Sequence, residues 1–323
     1  MRRIVVLLVI MLTVSGCTAG RPAPPLVAVL LADDVRQPKV DGLRQGLQEL
    51  GYPEVRVEVY SAKGRREELS ALATRLMQSR PAVAVAGGGV EAVALKAEAA
   101  ADGAPPVVML GVASTVRTGL VASLIRPGGR LTGVDNQHAE LSAKRLELLH
   151  KLLPDVRRVL LIYDPSVIPG QHALAVTEDA AVRLGLTVGV LAAETQQQAL
   201  DGLQRLTPDE YDAALLLPAA VLESAGRQLA GEFERLRLPV MGPLDLRGEG
   251  GLLAAYGTSM EDQGRQSARF VVKLLQGQNP ANVPVETPDH PELVVDLRVA
   301  TRLGVALSPV GLAFARTVGG EGP

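Results

Sequence analysis

The 323-residue chain has a single cysteine, Cys17, and no tryptophan; with five tyrosines and three phenylalanines, aromatic residues make up only 2% of it. A lone cysteine excludes a disulfide within the chain, and the shortage of aromatic rings excludes a ligand cage built from tryptophan. Charge of one sign is missing as well. Thirty-three Lys and Arg are interspersed with 35 Asp and Glu, the formal net charge is −2, and no basic stripe of the kind that follows a phosphate backbone is present. Nucleic acid is therefore not an expected partner. His138, His150, His172 and His290 are spread too widely to share a metal spacing, so no metal is expected. No G-x-S-x-G elbow, H-E-x-x-H pair or Walker loop occurs, and no cysteine beyond position 17 can serve as a nucleophile. These absences point to a protein that is not an enzyme and needs no cofactor.

No apolar run reaches the ~20 residues with which a helix spans a bilayer. The one at 4–14 follows Arg2 and Arg3 and closes on Val14-Ser15-Gly16-Cys17. A basic start, an apolar middle and small residues before a cut make a secretory signal, predicted here as residues 1–16. Val-Ser-Gly-Cys also resembles the lipobox of bacterial lipoproteins, which implies that Cys17 is lipidated and becomes the mature N-terminus. Two or more acyl chains exceed the marginal, reversible membrane binding of one. Residues 17–25, with Pro22, Pro24 and Pro25, read as a lipidated tether. The expectation is an exported protein held to the cell envelope by its lipid; the alternative is an ordinary signal with a coincidental cysteine.

From residue 26 onward, short apolar runs alternate with amphipathic helical segments, the pattern of parallel sheets with crossover helices. Strands are predicted at 26–32, 55–60, 82–86 and 107–110, with helices at 39–50, 65–79 and 90–101. Arg126-Pro127-Gly128-Gly129 breaks the rhythm. After a strand at 131–134 the alternation restarts, with helices at 141–153, 172–184, 196–206 and 221–236 between strands at 158–163, 187–191, 213–217 and 239–242. A strand at 252–256, a helix at 260–275 and a strand at 293–296 follow. The predicted fold is α/β, two Rossmann-like lobes with parallel sheets joined by a multi-strand hinge. Lobe 1 is expected at 26–134 plus 252–280, lobe 2 at 135–251 plus 281–310, and a tail at 311–323.

Open parallel sheets bind ligands at the carboxyl ends of their strands, so the residues that follow strands are the candidates. Asp33 and Asp34 follow the first strand and either receive a ligand ammonium or hydroxyl or cap a helix. Gly87, Gly88 and Gly89 end the third strand and open a helix, where free N–H groups favour a carboxylate; the plain alternative is a tight turn. With Ala92 they also form a loose G-x-G-x-x-A pattern, but no acid follows the next strand to hold a ribose. Ser114 and Thr115 offer hydroxyls, and Asp135 with Asn136 marks the first crossing between lobes. In the second half Tyr163, Asp164 and Pro218 occupy strand ends, and Tyr256 lies near the hinge.

The stretches GLRQGLQELGY at 42–52, GLVASLIRPGGRLTGV at 119–134, LSAKRLELLHKLLPDVRRVLLIYDP at 141–165, GRQSARFVVKLLQGQNPANVPVE at 264–286 and ELVVDLRVATRLGVALSP at 292–309 resemble the ABC-transporter substrate-binding proteins of the tryptophan/tyrosine-type family. The resemblance covers nearly the whole chain after the predicted tether. It implies the type I periplasmic-binding-protein fold, a small-molecule ligand held between two hinging lobes, and an ABC permease as the partner that receives it. The ligand implied is an amino-acid-like or other small polar organic solute. The chain departs from the family's pattern at Ser114-Thr115-Val116, where relatives commonly have Asp-Pro-Val, at Arg130 and at Ser259-Met260. A lipoprotein of the same fold that docks or senses without transport is the rival reading; an enzyme using the glycine loop for a nucleotide is a second.

Overall fold

Two sets of apolar strands, each buried on both faces, require two sheets with helices on either side. The computed structural model describes residues 23–101, 103–243 and 251–320. Cys17, the predicted signal and the tether up to residue 22 lie outside the described residues. In the first lobe β1 (Leu26–Leu31), β2 (Arg56–Ser61), β3 (Val83–Ala86), β4 (Val107–Val112) and β5 (Leu131–Asp135) form a fully parallel sheet in the order β2-β1-β3-β4-β5. The alternation along β1 decides which helices cover which face. Ala28 and Leu30 face α2 (Leu69–Gln78) and α3 (Gly89–Glu98), whereas Val27, Val29 and Leu31 face α1 (Gln37–Glu49) and the distant helix α9 (Met260–Leu275).

The second lobe contains a seven-stranded sheet in the order β12-β11-β10-β9-β8-β6-β7. Its strands are β6 (Arg158–Tyr163), β7 (Thr187–Ala192), β8 (Ala213–Leu216), β9 (Val240–Gly242), β10 (Ala254–Gly257), β11 (Glu292–Asp296) and β12 (Ala315–Val318). Among the described residues only β10 and β11 pair antiparallel. Val159 and Leu161 face a core formed with α4 (Ser142–Leu152), α5 (Ile168–Leu184) and α10 (Leu297–Leu303). Leu160 and Ile162 face α6 (Gln196–Gln204), α7 (Ala220–Ser224) and α8 (Gly226–Arg235). The short α11 (Pro309–Leu312) packs Gly311 against the backbone of Lys151 and Leu152 in α4. No helix among the described residues is long and apolar enough to cross a membrane.

Two expected boundaries move. Residues 252–280 do not all belong to lobe 1: β10 takes its place between β9 and β11 in the second sheet, and only α9 returns to the first lobe. Residues 281–310 divide in the opposite sense. Residues 281–286 run beside β5, where Glu286 N–H donates to the Gly133 oxygen at 3.0 Å and Asp135 N–H to the Glu286 oxygen at 2.9 Å, before the chain crosses to β11. The chain thus passes between lobes at 136–141, 258–259 and 287–291. The predicted tail also gains structure, because β12 adds a parallel edge strand to β11. The helix expected at 221–236 is two helices that meet at Ala225.

The contact between α1 and α9 is unusually close because glycines face backbone. A Cβ on Gly42 would lie 1.9 Å from the Glu261 carbonyl oxygen, and one on Gly264 would lie 1.9 Å from the Lys39 carbonyl oxygen. Neither neighbour is a flexible side-chain end that can swing away. Gly264→Ala is expected to destabilise the fold by about 1–3 kcal/mol through overpacking. Gly231→Ala, at an exposed position of α8 with open space around it, should instead stabilise by about 0.5–1 kcal/mol. Urea denaturation of both variants checks the contrast; a Gly264→Ala midpoint at or above the parent's would contradict the close packing.

Candidate functional site

The carboxyl ends of both sheets face each other across a cleft that contains a cavity of about 400 Å³. Its first-lobe wall starts at the β1–α1 turn. Asp33 Oδ1 accepts the Val35 N–H at 3.0 Å, and Asp34 Oδ1 accepts the Ser61 hydroxyl at 2.6 Å. Both carboxylates hold the loop that delivers Arg36 and, one helical turn later, Lys39 to the cavity.

Arg36 links the lobes electrostatically. Its Nη1 donates to Glu91 Oε1 at 3.3 Å, and its Nη2 donates to Glu223 Oε2 at 2.7 Å. Glu91 lies in α3 of the first lobe; Glu223 lies in α7 of the second. Burial disfavours the guanidinium charge, but Glu91 and Glu223 more than offset this and hold its pKa above the ordinary value. Glu91 Oε1 also accepts the Ala32 N–H at 2.8 Å, which ties it to the end of β1. The guanidinium rests directly against Gly88, where a Cβ would lie 3.1 Å from Arg36 Nε. A side chain at position 88 would push into this ion pair.

Lys39 is buried and donates from Nζ to the carbonyl oxygens of Gly87 at 2.9 Å and Gly111 at 3.0 Å. Burial, and then the nearby Arg36 charge, push its ammonium down to about 8. The Gly111 carbonyl is available because β4 ends in an irregularity in which Gly111 has φ +78°. That backbone geometry suits glycine, and a Cβ there would also strike Gln263 Oε1 at 1.9 Å. Asn136 Nδ2 donates to the same Gly111 oxygen at 3.1 Å, and its Oδ1 accepts the His138 N–H at 3.1 Å. The His138 imidazole is kept well below its usual pKa by burial and by the Arg145 and Lys39 charges, and is therefore neutral at pH 7. Arg145, fully buried, clamps this region: Nε donates to the Tyr256 oxygen at 2.7 Å and Nη1 to the His138 oxygen at 2.5 Å. Burial lowers its pKa to about 9, against opposing contributions from Tyr256 and Glu140.

The second-lobe wall depends on Asp164, whose Oδ1 accepts the Ser166 N–H at 2.9 Å and hydroxyl at 2.5 Å. This turn leads into residues 166–169 and the start of α5, all on the cavity. Pro218 and Ala219, after β8, complete that side. Apolar groups from both lobes remain open to the cavity: Val93 is 58% exposed and Ile168 45%.

Of the residues expected from the sequence, Gly88, Gly89, Asn136 and Pro218 line the cavity. Gly87 contributes its carbonyl to Lys39, while Asp33, Asp34 and Asp164 hold the loops that form the walls. Thr115 and Asp135 are joined at the first crossing: Asp135 Oδ2 accepts the Thr115 N–H at 2.8 Å and hydroxyl at 2.7 Å. Ser114 donates to Glu140 at 3.2 Å beside a separate hollow that also includes Asp135 and Gln137. The rings of Tyr163 and Tyr256 are half-buried against the second lobe's core. Arg36, Lys39, His138 and Glu223 were not among the expected site residues. The signal for Arg36 and Lys39 was their i, i+3 spacing at the start of the helix after the first strand, adjacent to the strand end.

Residues 26–318 match the family model for ABC transporter substrate binding protein. The chain is 21% identical over 273 residues to a tyrosine-binding protein of Clostridioides difficile, covering 81% of this chain and 76% of that one. The fold is similar to a Streptococcus pneumonia ABC domain in complex with L-Trp, at TM-score 0.83 and 22% identity, covering 91% of this chain and 99% of that one. A conserved domain protein from Vibrio cholerae is similar to the same extent, at TM-score 0.83, 23% identity and the same coverages. The architecture common to these structures and to this chain is the two-lobed type I periplasmic-binding-protein fold.

The Arg36–Glu223 pair bridges the cleft, so its loss should loosen closure. Glu223→Ala is expected to enlarge the radius of gyration measured by small-angle X-ray scattering and to cost roughly 1.5–3 kcal/mol, the range for a hydrogen bond to a charged group. Arg36 retains Glu91 in this variant. A scattering profile identical to that of the parent protein would show that the pair does not hold the lobes together.

Proposed function

The chain belongs to the family of ABC transporter substrate-binding proteins, and from this we propose that it captures an amino-acid-like solute in the interlobe cleft and delivers it to the permease of an ABC importer. The observation that carries the reading is the composition of the cavity. Arg36 and Lys39 supply positive charge and Glu223 negative charge, while Val93 and Ile168 present apolar surface from opposite lobes. A zwitterionic head group with a large apolar side chain complements that combination. The tyrosine-binding relative and the L-Trp complex support a solute of this size and kind. No Phe or Tyr ring among the described residues lines the cavity, so a ligand ring would lie against Val93, Ile168, Pro169 and Pro218.

Binding is the output in this reading, with no bond chemistry. A ligand favours the closed arrangement only by interacting better with it than with an open one, which requires contacts from both walls. Family members act outside the cytoplasm, and lipidation of Cys17 would keep this protein on a membrane surface, raising its effective concentration at a permease. The anchor must then lie in the permease's own membrane: the tether at 18–25 extends at most ~3.6 Å per residue and does not reach across an envelope.

Thermal-shift measurement tests the reading. L-Tyrosine or L-tryptophan at about 100 times its dissociation constant should add about 2.7 kcal/mol of stability and raise Tm accordingly. Absence of a shift with either amino acid, and with the other apolar L-amino acids, would overturn the proposed ligand class.

A further inference from the structure

Among the described residues, the two buried cations on the cleft wall are balanced very differently. Arg36 pairs with two carboxylates, Glu91 and Glu223. Lys39 pairs with none. Its ammonium meets only the carbonyl oxygens of Gly87 and Gly111, which solvate the charge without neutralising it. A buried cation normally has an anionic partner, because removal from water otherwise opposes the charged form. Two carbonyls also leave one of the three ammonium protons unused.

Further donors lie close to Lys39. Asn136 Nδ2 shares the Gly111 oxygen with Lys39 and has a second proton to offer. Gly88 precedes α3 without a side-chain cap, so the first N–H groups of this ten-residue helix have no partner within the helix. His138, 2% exposed, lines the same cavity and has a buried Nε2 with no hydrogen-bond partner among the described residues. An unbalanced ammonium, an amide and free helix N–H groups on one cavity wall together fit a small planar anion.

Resting on the proposed capture of an amino-acid-like solute, we infer that Lys39 binds the ligand carboxylate, with Asn136 and the start of α3 beside it, and thereby selects acids over their amides. Arg36 does not fill this role because Glu91 and Glu223 already satisfy it. The charged groups near Lys39 are Arg36 from the β1–α1 turn, Glu91 from α3 and Glu223 from α7, and the neutral imidazole of His138 lies at the first crossing. Burial places the Lys39 charge change between pH 7 and 9, while Arg145, which faces His138 from α4, follows at about 9 and is retained in the variant used as control below. A lysine whose folded pKa is depressed to about 8 loses its charge as pH rises through that value. Affinity for a carboxylate should weaken over the same interval.

Calorimetric titration with matched pairs tests the assignment: L-tyrosine against L-tyrosinamide, and L-tryptophan against L-tryptophanamide. The parent protein should prefer each acid by at least tenfold. In Lys39→Met the acid should lose at least tenfold in affinity while the amide changes little, so that the preference collapses; Lys39→Arg should retain part of it. The parent's acid affinity should decline between pH 7 and 9 more steeply than that of Lys39→Met, which controls for titration of the ligand's own amine. If Lys39→Met is poorly folded, Lys39→Gln supplies the same comparison, with circular dichroism confirming its fold. An unchanged acid-to-amide ratio in a folded variant overturns the role of Lys39 while leaving amino-acid capture intact. Failure of all four compounds to bind the parent protein overturns amino-acid capture, and this assignment with it.

Discussion

The direct backbone contact between α1 and α9 is the constraint on which the cleft depends. Gly42 lets the Glu261 carbonyl approach α1, and Gly264 lets the Lys39 carbonyl approach α9, so the helices meet without intervening side chains. Two residues of α9 then reach the sheet. Ser267 Oγ donates to the Met109 oxygen at 3.3 Å, and Gln263 lies beneath Gly111 with its Nε2 donating to the Thr258 oxygen at 2.8 Å. Lys39, Gly111 and the second crossing are therefore positioned by one packing arrangement. Protein interiors relax little around added volume, so a displacement here passes to the cavity floor.

Above that floor, charge is managed by geometry more than by ion pairing. Arg145 carries its buried charge on carbonyl oxygens from Tyr256 and His138 and on the Ser142 hydroxyl, joining α4, β10 and the first crossing. Lys39 uses the carbonyls at the ends of β3 and β4 in the same way. Carbonyl solvation orders several backbone segments around one side chain, which a single carboxylate partner does not. The Arg36 pairs are different, because one of their carboxylates belongs to the opposite lobe. Such a buried bridge adds little net stability over apolar packing, but a misaligned one is costly, so it specifies how the lobes meet.

The strand pattern made the two lobes legible because continuous apolar runs can only be buried, and the strand-end rule found Gly88, Gly89, Asn136 and Pro218. The same rule also selected Asp33, Asp34, Asp164 and the Thr115–Asp135 pair, which answer backbone N–H groups or neighbouring hydroxyls in the loops. Residue type does not separate these two uses: a carboxylate after a strand suits a ligand ammonium and an unpaired amide equally well. Arg36 and Lys39 were hidden for a related reason, since basic residues early in a helix read as solvated surface until the tertiary fold buries them. The lobe of β10 was not legible either. Ala254-Ala255-Tyr256 fits any sheet, and its place is decided by pairing with Met241 on one side and Leu293 on the other. Ala315–Val318 carries Arg316 and Thr317 and shows little apolar alternation, so its addition to β11 follows from an available edge.

Three passages between the lobes also determine when the cleft can exist. The first sheet draws all its strands from residues before 136, but α9, which covers one face of that sheet, and β10, β11 and β12, which extend the second, come from the last quarter of the chain. Each lobe must wait for segments that follow the other lobe's strands, giving the molecule a high contact order and a correspondingly slow final assembly. Until those residues arrive, the apolar side of β1, β3 and β4 has only α1 to shield it. A folding intermediate of this protein would therefore expose sticky surface on the face that α9 later seals, making the late helix a guard against aggregation as well as a support for the cavity.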